Sequence, residues 1–146
     1  METVTIASYA RGDLAETSAF IHSWTTEERY ARFWSTGESA ATWLLERLAD
    51  ESAHRAFIAR EGPAYVGLLD FVVTPDEIDF GIFVRAERRR RAIGTRLVRT
   101  LVALTAAERR IVAQCRSENA AAVALLRACN FACVRTRGGE LAWEYR

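Results

Sequence analysis

The run Arg88-Arg89-Arg90-Arg91-Ala92-Ile93-Gly94-Thr95-Arg96-Leu97 carries the strongest chemical signal in the chain. It follows a strand-like segment, Ile78 to Val84, and opens a helix-like one, Ile93 to Ala107. The first N–H groups of a helix lack intrahelical acceptors, and the helix dipole adds partial positive charge there. Ala92 and Gly94 carry little or no side chain, so a ligand can come close to the backbone between them. Each arginine offers a bidentate fork to an anion. The chemistry that fits is the holding of a polyphosphate group on a helix N-terminus.

Other phosphate-binding patterns do not match. No Gly-Lys-Ser/Thr follows the turn, the chain has no lysine, and the three glycines of a dinucleotide loop are missing. Four consecutive arginines also suit a solvated or nucleic-acid-facing patch. The net charge of +1 makes the basic character local, which weakens the nucleic-acid reading.

The elements around the turn must position it. Thr3 to Ala10 reads as a strand, and Asp13 as the N-cap of a helix from Leu14. From Phe20 to Glu51 the composition is helical and aromatic-rich, with Gly37 separating two helices. Ala40, Trp43, Leu44 and Leu48 recur at helical spacing. His54–Arg60, Tyr65–Val73 and Glu77–Val84 read as three strands of an antiparallel meander, split by Glu61-Gly62-Pro63 and Thr74-Pro75-Asp76. Ile93, Leu97, Leu101 and Leu104 predict a buried stripe on the helix after the arginine turn. Arg110–Cys115 is then a strand parallel to Ile78–Val84, completing a β-α-β unit. A helix from about Asn119 to Ala128 leads to strands Phe131–Thr136 and Leu141–Tyr145, a hairpin closed by Arg137-Gly138-Gly139-Glu140.

With 146 residues, 50% apolar and 27% charged, the chain reads as one soluble globular domain, residues 1–146. No apolar stretch reaches the roughly 18–20 residues of a membrane span, and no signal-peptide pattern is seen, so a cytoplasmic location is expected. Cys115, Cys129 and Cys133 lie in apolar surroundings and read as reduced core thiols without metal-ligand spacing.

This order of elements resembles the GNAT family of acyl-CoA-dependent N-acetyltransferases over essentially the whole chain. Three local matches carry the resemblance. Arg89-Arg90-Arg91-Ala92-Ile93-Gly94 is similar to the family's Gln/Arg-x-x-Gly-x-Gly/Ala loop, with Ala92 in place of the first glycine. Asp79-Phe80-Gly81-Ile82-Phe83-Val84 resembles the Glu-Leu-Gly-Tyr-Val-Val strand before that loop. Asn119-x-x-Ala122-x-x-Leu125-Leu126-x-x-x-Asn130-Phe131 resembles Asn-x-x-Ala-x-x-Leu-Tyr-x-x-x-Gly-Phe, with Asn130 able to take the left-handed conformation of the glycine.

The resemblance implies an α+β GNAT fold: a central mixed, mostly antiparallel sheet of about six to seven strands, flanked by about four helices, with a parallel β-α-β acyl-CoA unit. It implies acetyl-CoA as co-substrate and no metal. The backbone from Arg90 to Thr95 (Arg90, Arg91, Ala92, Ile93, Gly94, Thr95), with Arg89, would hold the CoA pyrophosphate; Ala92 suits that role if its dihedrals are right-handed. Phe83 and Val84 would pair their backbone with the pantetheine arm, and Asn119 would cap its helix and touch the cofactor. The implied reaction is direct attack of a primary amine on the thioester through a tetrahedral intermediate, its oxyanion met by a backbone N–H near Val84. Asp79 is the first choice of proton acceptor and Glu77 the second; the other reading of Asp79 is an ion pair with an arginine across the sheet. Leu126 stands where the family often has a proton-donating tyrosine. The expected acceptor is a small-molecule or peptide amine, with no membrane partner, nucleic acid disfavoured, and a homodimer left open. The alternatives are a non-catalytic acyl-CoA-binding regulatory module and, behind it, a nucleic-acid-binding domain using the arginine turn.

Overall fold

A computed structural model describes residues 3–50, 54–85, 92–105 and 109–146. In chain order the elements are β1 (Val4–Ser8), a 3-10 turn (Arg11–Asp13), α1 (Leu14–His22), α2 (Thr26–Phe33), α3 (Ser39–Asp50), β2 (His54–Glu61), β3 (Ala64–Val73), β4 (Glu77–Val84), α4 (Ile93–Thr105), β5 (Arg110–Arg116), α5 (Ala120–Ala128), β6 (Phe131–Arg137) and β7 (Glu140–Tyr145). The strands form one seven-stranded mixed sheet in the order β1-β2-β3-β4-β5-β7-β6. The expected meander β2–β3–β4 is antiparallel, β4 and β5 are parallel, and β6–β7 is a hairpin. Its two turn glycines, Gly138 and Gly139, both have positive φ (57° and 82°), as a tight hairpin turn requires.

Among the described residues five α-helices flank the sheet, where about four are expected, because the Phe20–Glu51 stretch breaks twice. Thr25 and Glu28 form a reciprocal capping box that starts α2, and Trp34, at φ 60°, ends it. Asp13 stands at the expected N-cap position of α1, but its side chain makes no capping bond. Its carboxylate accepts from the Ala10 N–H at 2.8 Å and faces Arg60 at 3.4 Å, leaving the helix start uncapped by that side chain.

The sheet has an apolar core on each face. Phe20, Ile21, Trp24, Leu44 and Leu48 from α1 and α3 pack on Ala56, Ile58, Leu68 and Phe83. On the other face Ile93, Leu97, Val98 and Leu101 of α4, with Leu126 of α5, cover Phe57, Leu69, Ile78, Phe80, Ile111 and Trp143. Burying each such aliphatic side chain contributes about 1.5–3 kcal/mol. The α4 stripe ends a turn early: Leu104 is 66% exposed, and Val98 is buried instead. Cys115 and Cys129 are core thiols as expected, but Cys133, on edge strand β6, is exposed. Among the described residues, no helix is long and apolar enough to cross a membrane.

Candidate active site

The β4–β5 ladder holds four residue pairs and ends at Phe80↔Ala113, although β4 runs on to Val84 and β5 to Arg116. Beyond that point the parallel strands carry no further ladder pairs, and two cavities line the gap. One, of about 500 Å³, is walled by Phe33, Trp34 and Trp43 and floored by Asp70, Asp79 and Gly81. The other, of about 350 Å³, runs along Ile82–Val84 to Ala92, Gly94 and Thr95, against Ala121, Ala124, Leu125 and Ala128 of α5. Small side chains on α5 leave this second channel open. Trp43, expected on the packing face of α3, is 44% exposed at the rim of the first cavity.

Asp79 lies in the first cavity, half-buried, and accepts no hydrogen bond and joins no ion pair among the described residues. Burial, followed by the nearby Glu77 carboxylate, pushes its pKa up to about 6, with Arg32 pulling the other way. The alternative reading, an ion pair with an arginine across the sheet, does not form among the described residues. Glu77 does not share the cavity lining: it faces Arg110 at 2.7 Å at the start of β4.

Beneath Asp79 lies a charged group that sequence reading missed. Asp70 on β3, Gly81 on β4 and Ala56 on β2 are ladder partners, so their side-chain positions share one sheet face. Arg32, near the end of α2, lays its guanidinium on that face and grips Asp70, Nη2 donating to Oδ1 at 2.5 Å and to Oδ2 at 2.7 Å. His54 Nε2 donates to the same carboxylate at 3.0 Å. Burial would raise the Asp70 pKa, but Arg32 and His54 outweigh it and hold the carboxyl below its ordinary value. Gly81 is what admits the arginine: a Cβ there would stand 2.3 Å from the Arg32 Cζ. The Asp-x-Gly spacing of the strand motif therefore serves a guanidinium seat as well.

The second cavity ends at the N-terminus of α4. The first bond of this helix runs from the Arg96 N–H to the Ala92 C=O at 3.0 Å, so Ile93, Gly94 and Thr95 have no intrahelical acceptor for theirs. Arg89, Arg90 and Arg91 lie outside the described residues. Ala92 is left-handed, at φ 59°, and not right-handed as its role as a glycine substitute supposed. An alanine there costs about 1–2 kcal/mol that glycine avoids. Ala92→Gly is therefore expected to stabilise the protein by about 1 kcal/mol, read as a higher urea midpoint at unchanged m. Gly94 also has a packing reason for being small: a Cβ would meet Leu125 Cδ2 at 3.2 Å. A bulky residue at position 94 would thus push α4 off α5 whether or not a ligand is bound.

Asn119 caps α5, its Oδ1 accepting from the Ala122 N–H at 3.1 Å, and it borders both cavities. Asn130 closes the same helix in the left-handed region, at φ 69°, as the motif required. Phe83 is buried with its ring stacked on Trp24 at 3.9 Å, and it borders the second cavity. Leu126, only 3% exposed, packs in the core with Cys129, Phe131 and Trp143. Leu126→Tyr is expected to cost about 1–3 kcal/mol through overpacking, seen as a lower thermal midpoint.

A family model for the acetyltransferase (GNAT) family matches residues 15–131. The chain belongs to that family. No curated protein sequence matches it. Among solved structures, the GNAT domain of S. lividans PAT superposes with a TM-score of 0.83 at 16% identity, covering 97% of this chain and 89% of that one. The PaiA N-acetyltransferase from Thermoplasma acidophilum, in complex with coenzyme A, gives 0.74 at 13% identity with 99% of each chain covered. The ribosomal-protein-S18-alanine N-acetyltransferase from Escherichia coli gives 0.73 at 18%, covering 98% of this chain and 93% of the other. At these identities the likeness is one of fold.

Proposed function

We propose that this GNAT protein is an acyl-CoA-dependent N-acetyltransferase that transfers an acetyl group from acetyl-CoA to a primary amine. One observation carries the reading. A half-buried carboxyl with no hydrogen-bond partner among the described residues, Asp79, stands in a cavity whose neighbour runs to an exposed-donor helix N-terminus. Acetyl-CoA supplies a thioester, whose thiol leaving group has a pKa of about 8.5.

The chain's residues divide the remaining work. The N–H groups of Ile93, Gly94 and Thr95, with Arg89, Arg90 and Arg91, hold the pyrophosphate, and the Ala121–Ala128 face of α5 leaves room for the arm behind it. The segment Gly81–Val84, past the last β4–β5 pair, borders that arm. Asp79 takes the amine proton. An alkyl amine of pKa about 10.4 costs about 4–5 kcal/mol to neutralise at pH 7. Raising the acceptor from the ordinary 3.8 to about 6 narrows the gap between its pKa and the amine's and so eases the transfer, while the carboxyl stays mostly ionised at neutral pH.

A second reading, a non-catalytic acyl-CoA-binding module, draws on the buried Leu126 at the proton-donor position. A thermal-shift titration with acetyl-CoA followed by a thiol-release assay over an amine panel separates the two. Saturation at a hundredfold over Kd should add about 2.7 kcal/mol of stability in both. Acceptor-dependent thiol release is expected only of the enzyme, and its absence across small and peptide amines would leave the binding module standing.

A further inference from the structure

Among the described residues six line both cavities: Ala31, Arg32, Ile82, Asn119, Ala122 and Leu125. Arg32 is the only charged one among them. If one cavity takes the thioester arm and the other the amine, the reacting atoms meet where the cavities join. Arg32 is fixed at that junction. Its side chain is 14% exposed, its Nη2 and Nε donate to buried Asp70, and Gly81 removes the Cβ that would otherwise displace it. The Nη1 donors make no hydrogen bond among the described residues. The tyrosine that could protonate a departing thiolate is absent, and Leu126 in its place, buried at the wall of the first cavity, carries no proton to give. Negative charge leaving on sulfur can then be met by a fixed cation.

We propose that Arg32 is a catalytic residue that stabilises the departing thiolate electrostatically, in place of a proton donor. The inference rests on the acetyl-transfer reading above. As the amine nitrogen bonds to the acetyl carbon, the C–S bond breaks and its electron pair leaves on sulfur beside the guanidinium. Of the two protons an ammonium acceptor sheds, the first goes to Asp79 before attack and the second, lost from nitrogen as the intermediate collapses, goes to solvent water; the thiolate is reprotonated by water after release. No oxidant, metal or further co-substrate is needed. Asp70 and His54 are positioning residues that hold Arg32 by its other edge. The groups facing the guanidinium are His54 from β2, Asp70 from β3 and Asp79 from β4, with Glu77 behind Asp79.

The test measures the ionisation of the CoA thiol in the complex. Affinity for CoA is compared with that for desulfo-CoA from about pH 6 to about pH 9.5, so that protonation of the protein's own groups cancels. In the parent the bound thiol should ionise at least one unit below its free value of about 8.5, a tenfold larger thiolate fraction near neutral pH. Arg32→Gln should abolish the shift and Arg32→Lys should keep part of it. Asp70→Asn should deepen it, because the guanidinium loses its counter-charge. A merely structural Arg32 moves both variants the same way. Should Arg32→Gln fail to fold, Arg32→Gln/Asp70→Asn, which leaves no unpaired buried charge, should bind CoA with an unshifted thiol. CoA that binds the parent with an unshifted thiol, or a shift that survives Arg32→Gln, overturns this inference alone. No CoA binding by the parent overturns the acetyl-transfer reading and this inference with it.

Discussion

Asp79→Asn is expected to lower turnover by roughly 10²–10⁴ while leaving acetyl-CoA affinity nearly unchanged. The substitution keeps the size of the side chain and removes its basicity. Part of the lost rate should return at higher pH, where more of the amine is already neutral, and the parent's kcat/KM should fall away below about pH 6 as Asp79 takes up its proton. The same variant should be more stable than the parent at pH 7. Burial raises the folded-state pKa of Asp79 from 3.8 to about 6, so between those values the folded state binds more protons than the unfolded one. Stability then falls as pH rises through that window, and ionised Asp79 costs the fold at neutral pH. With the side chain part-exposed, solvent screening reduces the full two-unit figure to about 1–2 kcal/mol. Steady-state kinetics over a pH series, paired with urea unfolding, reads both effects. Full activity at pH 7 with a verified acceptor would move the base elsewhere, and Glu77, tied to Arg110, would first have to leave that pair.

Arg32→Ala should cost about 3–5 kcal/mol of stability in urea unfolding at neutral pH, because it leaves the Asp70 carboxylate buried without its main partner. The sign of the pH dependence follows from Asp70. Its folded pKa lies below 3.8, so the pair stabilises the protein above that value and the contribution fades as pH falls through the folded pKa. Arg32→Met combined with Asp70→Asn removes both charges and should lose clearly less than Arg32→Ala alone. Equal losses in the two would show that packing, and not charge, governs the site.

Much of the fold was legible because local rules and global order agreed. The meander, the β-α-β unit and the Gly138-Gly139 hairpin each have a periodicity or turn chemistry that short windows carry. One legible signal went unread: Thr25-x-x-Glu28 is a capping box, and it marks the extra helix start inside the Phe20–Glu51 stretch. Leu104 shows the opposite limit. Its spacing is that of the buried stripe, but burial depends on what the last helical turn faces, which spacing does not contain.

The sequence by itself determined the elements, the helix N-terminus beside small residues, and Asp79 on the strand that leads to it. It also determined the left-handed stop at Asn130, because a short polar side chain tolerates that conformation where most do not. Only the tertiary structure decided that β7 inserts between β5 and β6, and that the β4–β5 ladder ends at Phe80↔Ala113. It alone brought together Arg32, His54 and Asp70, which stand on a helix and two strands. Each of these residues is unremarkable in its own window. Their juxtaposition comes from strand register, which sets which residues share a sheet face, and from Gly81, whose missing side chain makes room for a guanidinium from α2.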